Sequence, residues 1–280
     1  MPRTLVLCFA LLLVACSQAE DPPALVPETA AKATETAPAD RASQPRPKVV
    51  IAADPWCPHN CLAGSDREGY MVDIAREAFG LAGIDVEYVN MSWARALQQA
   101  RDGYLDAVVG ALPEDAPDFV FPEEAIGFST IALYTHPDNA WNYSGIGSLQ
   151  DQTLMAINGY AYSPELDAYI AGHQNSPEQV WILSGPAPLN RAIELLETRR
   201  SDVFPEDRYV MEWQLAQDAG LAASLRMAAV IYESPIYIAF SPASARSPEL
   251  AELLSQGTRA LKNSGRAQQI LALYGLSWWD

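Results

Sequence analysis

The sequence is poor in histidine and in basic residues, and each shortage argues against a class of protein. It has three histidines, at positions 59, 136 and 173, which are too few and too scattered for a His-rich metal site. Lys and Arg number 18 against 35 Asp and Glu, so the formal net charge is −17. So acidic a chain is repelled by phosphate backbones and anionic membrane surfaces, and no Lys/Arg cluster makes a local exception. We therefore expect neither a metal site nor a nucleic-acid partner.

The N-terminal apolar run, Leu5 to Val14, is too short to span a bilayer and has the length typical of a signal peptide. It ends in Leu13-Val14-Ala15-Cys16, which resembles the bacterial lipobox, the motif whose cysteine is acylated after cleavage. We predict a lipoprotein signal peptide at 1–16 and a lipid on Cys16 as the protein's one membrane attachment. Because Ser17 is not the Asp that marks inner-membrane retention, an outer membrane is favoured if the cell is Gram-negative. An ordinary secretory signal that contains a cysteine is the alternative.

Cysteine is scarce as well, with four in the chain. Cys8 would leave with the signal and Cys16 would carry lipid, so Cys57 and Cys61 remain for the folded part. They are four residues apart in a turn-rich loop, which in an envelope protein predicts a local disulfide. A metal site and a redox dithiol are the alternatives. Two Cys with one His are a poor zinc set, and thioredoxin-like motifs use a shorter spacing.

Residues 17–47 predict a tether. They are rich in Ala, Pro, Thr and Glu, contain no aromatic residue, and include six prolines that oppose regular structure. A flexible coil of about 31 residues has a root-mean-square span of roughly 30 Å. The folded body could therefore stand clear of a membrane and turn toward a partner.

From residue 48 onward, strand and helix patterns alternate. The first set predicts strands at 48–53, 85–89 and 107–110, and helices at 70–79 and 93–101. This alternation predicts parallel strands in an α/β sheet. The rhythm returns with strands at 153–157 and 202–204, and helices at 189–199 and 208–219.

Five segments together point to one family. They are Gly69–Asp73, Trp93–Ala107, Phe128–Tyr134, Arg200–Asp207 and Leu250–Gly275. In this order they resemble the bacterial extracellular solute-binding proteins of family 3, whose best-known members are amino-acid receptors of ABC importers. The resemblance covers about 48 to 276 and implies the α/β fold called periplasmic binding protein type 2. That fold has two lobes, two crossover strands and a central cleft.

The resemblance places lobe 1 at 48–133 plus 238–280 and lobe 2 at 134–237. We expect the ligand in the cleft between them, because open α/β sheets bind ligands at the carboxyl ends of their strands. The resemblance implies a monomer without a cofactor, located in the periplasm or on the cell surface.

Two carboxylates decide the expected ligand. Family amino-acid receptors carry an Arg after the lobe 1 strand that clamps the ligand's carboxylate, and Asp115 stands there instead. The carboxylate that binds the ligand's ammonium group in those receptors corresponds to Asp207. An anionic partner without the usual cationic one favours an amine-bearing or cationic solute. Arg95 could replace the missing clamp, or it could lie on a solvated helix face.

Several other residues are candidates for the cleft wall. The aromatic ones could hold an amine by cation–π contact, although Trp93 could instead be core. Asn158 follows a strand where the family presents backbone donors to the ligand. The set comprises Trp56, Tyr70, Trp93, Gly110, Ala111, Asn158, Tyr160 and Tyr162.

We expect no enzyme. The sequence has no Gly-x-Ser-x-Gly elbow, His-Glu-x-x-His pair or phosphate-binding Gly loop. The adjacent Glu206 and Asp207 suggest an acid/base pair, but neighbouring side chains usually point in different directions. The expected role is delivery of a small polar solute to an ABC permease. The alternative is a ligand-sensing lipoprotein that docks on a membrane receptor such as a sensor kinase or nucleotide cyclase.

Overall fold

A computed structural model of the protein describes residues 45–185, 187–217 and 224–277. The predicted signal peptide, the lipidation site Cys16 and the tether as far as residue 44 lie outside the described residues. Within the described ranges, no helix combines the length and apolar character that a membrane span requires.

Eight strands and seven α-helices make up the described chain. In chain order they are β1 (Lys48–Ala53), α1 (Tyr70–Leu81), β2 (Asp85–Asn90), α2 (Trp93–Arg101), β3 (Ala107–Ala111), β4 (Gly127–Thr135), β5 (Leu154–Ile157), α3 (Pro164–His173), β6 (Val180–Leu183), α4 (Pro188–Glu197), β7 (Phe204–Asp207), α5 (Arg208–Gln217), β8 (Arg226–Phe240), α6 (Ser247–Asn263) and α7 (Arg266–Leu273). A short 3-10 turn, Ile146–Leu149, precedes β5.

The central sheet has six strands in the order β2-β1-β3-β8-β4-β7, and a separate sheet pairs β5 with β6. β1 is parallel to both β2 and β3, and β5 is parallel to β6, which confirms the parallel pairing expected from the alternating pattern. β8 runs antiparallel to both β3 and β4, and β7 runs antiparallel to β4. The fold is therefore mixed α/β, as predicted.

Two differences from the predicted elements stand out. The pattern missed β6 and α3, although Ser163 caps α3 by accepting a hydrogen bond from Leu166 N, and Pro164 fills its first turn. The strand expected at 202–204 instead covers Phe204–Asp207. This shift of two residues places two acidic side chains inside the sheet rather than after it.

The apolar side chains form three cores. Core 1 packs α1, α2, α6 and α7 against the first three strands, with Ile51, Phe79 and Phe240 fully buried. Cores 2 and 3 lie within the second part of the chain, around Phe204 and Leu154 respectively. β4 and β8 run from core 1 to the other two cores and so connect the two sides of the molecule. The lobe boundaries near residues 133 and 237 stay a prediction.

A disulfide joins Cys57 and Cys61, which confirms the predicted pairing. The loop it closes follows the carboxyl end of β1 and turns back on itself, because Trp56 N donates to Asn60 O at 2.6 Å. His59 and Asn60 within the loop are both fully buried. The loop therefore projects into the molecule between its two sides.

Candidate ligand-binding cleft

A small cavity lies between core 1 and the part of the molecule that contains cores 2 and 3. We call it the inner cavity. Its volume is about 30 Å³, which admits a group of the size of a water molecule. From the core 1 side it is lined by Asp54, Trp56, Asn60, Trp93, Gly110 and Asp115, and from the opposite side by Ile131, Tyr160, Ala161, Tyr162 and Glu206.

A second, larger cavity adjoins it. This outer cavity has a volume of about 720 Å³, within the range of about 300–1,000 Å³ that small-molecule sites occupy. Asp54 and Tyr160 belong to the lining of both cavities, so the two spaces share a wall. Much of the outer wall is apolar, with contributions from Leu62, Met91, Leu189, Val210 and Trp213.

The acidic residues of the inner cavity follow or end strands of the central sheet. Asp54 comes directly after β1, Asp115 lies in the loop after β3, and Glu206 is the third residue of β7. The loops at strand ends can converge on one point because the sheet orders the strands side by side. This is the position at which open α/β sheets place their ligands.

Glu206 is fixed through one of its two carboxylate oxygens. Trp56 Nε1 donates to Oε1 from across the cavity at 2.8 Å, and Asp207 N donates to the same oxygen at 2.8 Å. The other oxygen, Oε2, is buried without a hydrogen-bond partner among the described residues. Burial raises the pKa of Glu206 to about 8, with the nearby carboxylates of Asp207 and Asp54 adding to the rise.

Asp54 and Asp115 also make hydrogen bonds across the cavity. Tyr160 OH donates to Asp54 Oδ2 at 2.7 Å, and Ala161 N donates to Asp115 Oδ1 at 3.0 Å. Leu112 N donates to the second oxygen of Asp115 at 2.9 Å. Burial raises the pKa of Asp54 to about 6 and that of Asp115 to about 7, although these hydrogen bonds act in the opposite direction.

Asn60 brings a second buried acceptor to the inner cavity. Its Nδ2 donates to Asp54 O at 2.6 Å and to Tyr88 OH at 3.2 Å, while Oδ1 has no partner in the described part of the chain. Gly110 lies against this oxygen with φ of 87°. A Cβ at that position would lie 3.2 Å from Asn60 Oδ1 and 3.3 Å from the Trp56 ring, so glycine suits both the conformation and the space.

The charge of the site is one-sided. Among the described residues that line the two cavities there are three carboxylates and no Lys, Arg or His. Buried carboxylates that are not neutralised by a cation are costly in their charged form. Within the same described residues, no group of three or more His, Cys, Asp or Glu side chains has the arrangement of a metal site.

The structure brings six of the predicted site residues together at the inner cavity: Trp56, Trp93, Gly110, Asp115, Tyr160 and Tyr162. Four others lie outside the linings of both cavities. Tyr70 is fully buried, where its hydroxyl lies 2.6 Å from His59 Nδ1, and Ala111 is fully buried in β3. Arg95 and Asn158 are exposed to solvent.

Asp207 also lies outside the linings of both cavities, and its contact with the ligand stays a prediction. Its carboxylate is fully buried and accepts hydrogen bonds from Ser129 Oγ and Thr130 N at 2.8 Å and from Val210 N at 3.0 Å. His59 Nε2 lies 3.0 Å from Oδ1. Both carboxylate oxygens are thus engaged by the protein, and Asp207 connects the two sides of the molecule.

Three polar residues that line the inner cavity, Asp54, Asn60 and Glu206, were not predicted from the sequence. Strand register explains the exchange of Glu206 for Asp207. Glu206 pairs with Ala132 and Asp207 with Ile131, and successive strand residues face opposite sides of a sheet. The position of Asp54 directly after a buried strand was a usable signal. Asn60 gave none, because its burial depends on how the disulfide loop packs.

Comparison with known proteins agrees with this architecture. The model of a family described as bacterial extracellular solute-binding proteins, family 3, matches residues 49–277. The chain belongs to this family. Its members are solute-binding proteins of the extracellular or periplasmic space. A search of curated proteins finds no match.

Solved structures with the same fold include importer proteins and a sensor. An amino acid ABC transporter substrate-binding protein from Streptococcus pneumoniae, bound to L-arginine, is 21% identical with a TM-score of 0.62, over 81% of this chain and 93% of that one. A putative L-cystine ABC transporter protein from Listeria monocytogenes is 14% identical with a TM-score of 0.67, over 83% and 98%. A histidine kinase sensor domain with similarity to periplasmic binding proteins is 17% identical with a TM-score of 0.64, over 82% and 96%. The family 3 protein described here therefore has the fold of periplasmic binding proteins type 2.

Proposed function

We propose that this family 3 protein captures a small cationic, amine-bearing solute in the cleft and delivers it to an ABC importer. The observation that carries the proposal is the inner cavity, where the carboxyl groups of Asp54, Asp115 and Glu206 converge and no described basic side chain lines the wall. Burial of these groups leaves a cation as the partner that best restores their charged forms. Family membership supports the solute-binding role, and the importer proteins among the structural neighbours support delivery to a permease.

The proposal includes the arrangement of the whole chain. The two lobes, 48–133 plus 238–280 and 134–237, would close around the solute through β4 and β8. Hydrogen bonds that cross the cleft, such as the one from Trp56 Nε1 to Glu206, support a closed geometry of this kind. The segment 17–47 would tether the body to a lipid on Cys16. The acidic surface of the protein would help attract a cation.

Thermal unfolding of the full-length protein tests the charge of the solute, because a ligand that binds the folded state raises Tm. We expect phenethylamine or putrescine at 5 mM to raise Tm more than L-glutamate or D-glucose. A larger rise with the anion or the sugar contradicts the proposal, and so does an unchanged Tm with all four compounds.

Sensing is the second candidate function, and one observation favours it. The same fold occurs in the histidine kinase sensor domain, which matches this chain about as well as the importer proteins do. The roles separate in cells that lack the gene. Loss of uptake of the radiolabelled ligand supports import. Unchanged uptake with loss of a ligand-dependent transcriptional response supports sensing.

A further inference from the structure

Two unpartnered oxygens define where a ligand would be held most tightly. Glu206 Oε2 and Asn60 Oδ1 are both buried, belong to residues that line the inner cavity, and lack a hydrogen-bond partner among the described residues. The two residues have exposed fractions of 1% and 0%. A buried acceptor without a donor destabilises the fold, so a ligand that supplies donors there is favoured.

The inner cavity also limits the size of the group that enters. A volume of about 30 Å³ favours a small polar group in this part of the site. A primary ammonium group fits, because it is compact and carries three N–H donors with no acceptor. The oxygens of Asn60 and Glu206 would accept two of these donors.

Asp115 accepts hydrogen bonds from backbone N–H groups that could otherwise donate to a carboxylate on the ligand. Its two oxygens accept hydrogen bonds from Leu112 N on one side of the cavity and Ala161 N on the other. The chain thus places its own carboxylate on these backbone amides. No described Lys, Arg or His lines either cavity to neutralise a second, external carboxylate. A carboxylate-bearing ligand would also face the charges of Asp54 and Glu206.

The outer cavity has room for the remainder of the solute. Leu62, Met91, Leu189 and Trp213 line it, and the single charged residue of its described lining is Asp54, at the wall shared with the inner cavity. Asn90, Ser92, Asn190 and Gln214 add polar side chains to this lining, so an uncharged body with apolar and polar parts is suited to this space.

Given the proposed function, we infer that the solute is a primary amine without a carboxylate. Its ammonium group lies in the inner cavity against Asn60 Oδ1 and Glu206 Oε2, and its uncharged body lies in the outer cavity. Tyr160 and Asp54 line both cavities. This assignment separates the protein from a receptor for ordinary amino acids, in which an ammonium and a carboxylate are bound together.

Pairs of amino acids and their decarboxylated amines test the inference. Calorimetric titrations of the full-length protein at pH 8 would compare leucine with isoamylamine, phenylalanine with phenethylamine, lysine with cadaverine, and arginine with agmatine. We expect at least one amine to bind with a Kd at least tenfold lower than that of its amino acid. This ratio is measured on the unchanged protein, so it does not depend on whether a variant folds.

Two variants then locate the ammonium group for the tightest amine. Glu206→Gln replaces the carboxylate with an uncharged amide of nearly the same shape. We expect Kd to rise at least 100-fold. Glu114→Gln makes the same change on an exposed residue outside both linings, and we expect less than a threefold change.

The outcomes distinguish this inference from the proposed function. If arginine or lysine binds as tightly as its amine or more tightly, and no other amine exceeds its amino acid tenfold, the inference is wrong and the cationic-solute proposal stands. If the neutral amino acids bind most tightly, or none of the eight compounds binds below 1 mM, both are wrong. An amine that binds equally well to Glu206→Gln overturns the placement of its ammonium group.

Discussion

Trp56 and Glu206 face each other across the inner cavity, and the indole Nε1 donates a hydrogen bond of 2.8 Å to Oε1 of the carboxylate. The same oxygen accepts from the backbone N–H of Asp207, so both protein donors act on one side of the carboxylate. Glu206 Oε2 is buried without a partner among the described residues. One oxygen thus positions the side chain, and under the proposed function the other would accept a hydrogen bond from the solute.

The Trp56 indole N–H should therefore matter for affinity. In Trp56→Phe the ring is largely kept while the donor to Glu206 is lost, and we expect Kd for the tightest amine to rise about tenfold, since hydrogen bonds to charged groups contribute about 1.5–3 kcal/mol. Trp181→Phe is the matched control, because Trp181 lies in β6 outside both linings. Equal Kd values for both variants by calorimetry would contradict this role.

Amine binding should strengthen as the pH rises. Burial raises the pKa of Glu206 to about 8, so the carboxyl is largely neutral at pH 6.5 and largely ionised at pH 9, whereas a primary amine stays protonated. Asp54 and Asp207 add to this pKa, and the aromatic groups of Trp56, Tyr160 and Tyr162 surround the carboxyl. We expect Kd to fall between these two pH values, with protons released on binding. A flat profile for the unchanged protein, or an equally steep one for Glu206→Gln, argues against Glu206 as the titrating group.

Stability without added amine should change in the opposite direction. The carboxyl groups of Asp54, Asp115 and Glu206 have pKa values of about 6, 7 and 8, above their ordinary values of 3.8, 3.8 and 4.5. Because the folded protein holds these protons more tightly than the unfolded chain, their contribution is complete below about pH 4 and is lost as the pH rises through 6 to 8. We expect Tm to fall from pH 5 to pH 8.5, and less steeply for Glu206→Gln. A Tm that rises over this range would rule out these raised pKa values as the dominant effect.

Asp207 should contribute chiefly to stability. Its carboxylate accepts hydrogen bonds from Ser129, Thr130 and Val210 and lies beside His59, all in a fully buried setting. Removing one partner of a buried charged network costs about 3–5 kcal/mol, so we expect Asp207→Asn to lower the free energy of unfolding by that amount. Urea titration measures the loss. Asp118→Asn, which breaks an exposed ion pair with Arg101, should cost at most about 1 kcal/mol.

The same pair of experiments separates stability from binding. Since Asp207 lies outside the linings, the folded fraction of Asp207→Asn should bind the amine within about tenfold of the unchanged protein, less affected than Glu206→Gln. If Asp207→Asn raises Kd more than Glu206→Gln does, Asp207 is the carboxylate that binds the ligand.

Lipid attachment is tested separately, since the predicted lipobox lies outside the described residues. We expect mass spectrometry of membrane-extracted protein to find diacylglycerol on Cys16. Cys16→Ser should leave the membrane fraction and no longer partition into detergent, because the lipid would be the protein's one hydrophobic attachment. If this variant remains in the membrane fraction with unchanged partition, the anchor lies elsewhere.

The sequence was informative where local pattern and burial coincide. The helix expected at 93–101 is α2, Trp93–Arg101, because its apolar residues recur at helical spacing and face core 1. The prediction placed β7 two residues too early, because the apolar residues before Pro205 carry the strand pattern. Glu206 and Asp207 join the strand through pairing with β4. The side chains that donate hydrogen bonds to these two buried carboxyl groups come from distant parts of the chain.

The candidate site shows the same limit more sharply. Aromatic residues and Gly110 at strand ends could be selected from type and position alone. Asn60 and Glu206 could not, because each is defined by packing: 150 residues separate Glu206 from Trp56, which orients it. The family resemblance points to Asp207, one residue from Glu206. Successive residues of a strand face opposite sides of the sheet.

The disulfide between Cys57 and Cys61 has a consequence for when the protein becomes competent. The loop it closes carries His59 beside Asp207 and Asn60 at the inner cavity, and Trp56 precedes it directly. The disulfide thus lies beside the contacts that the core 1 side makes to both acidic residues of β7. Under the proposed function, a chain whose two thiols are still reduced would lack this covalent constraint on the loop. Thiol oxidation would then act as a maturation step that separates arrival in the envelope from the onset of solute capture.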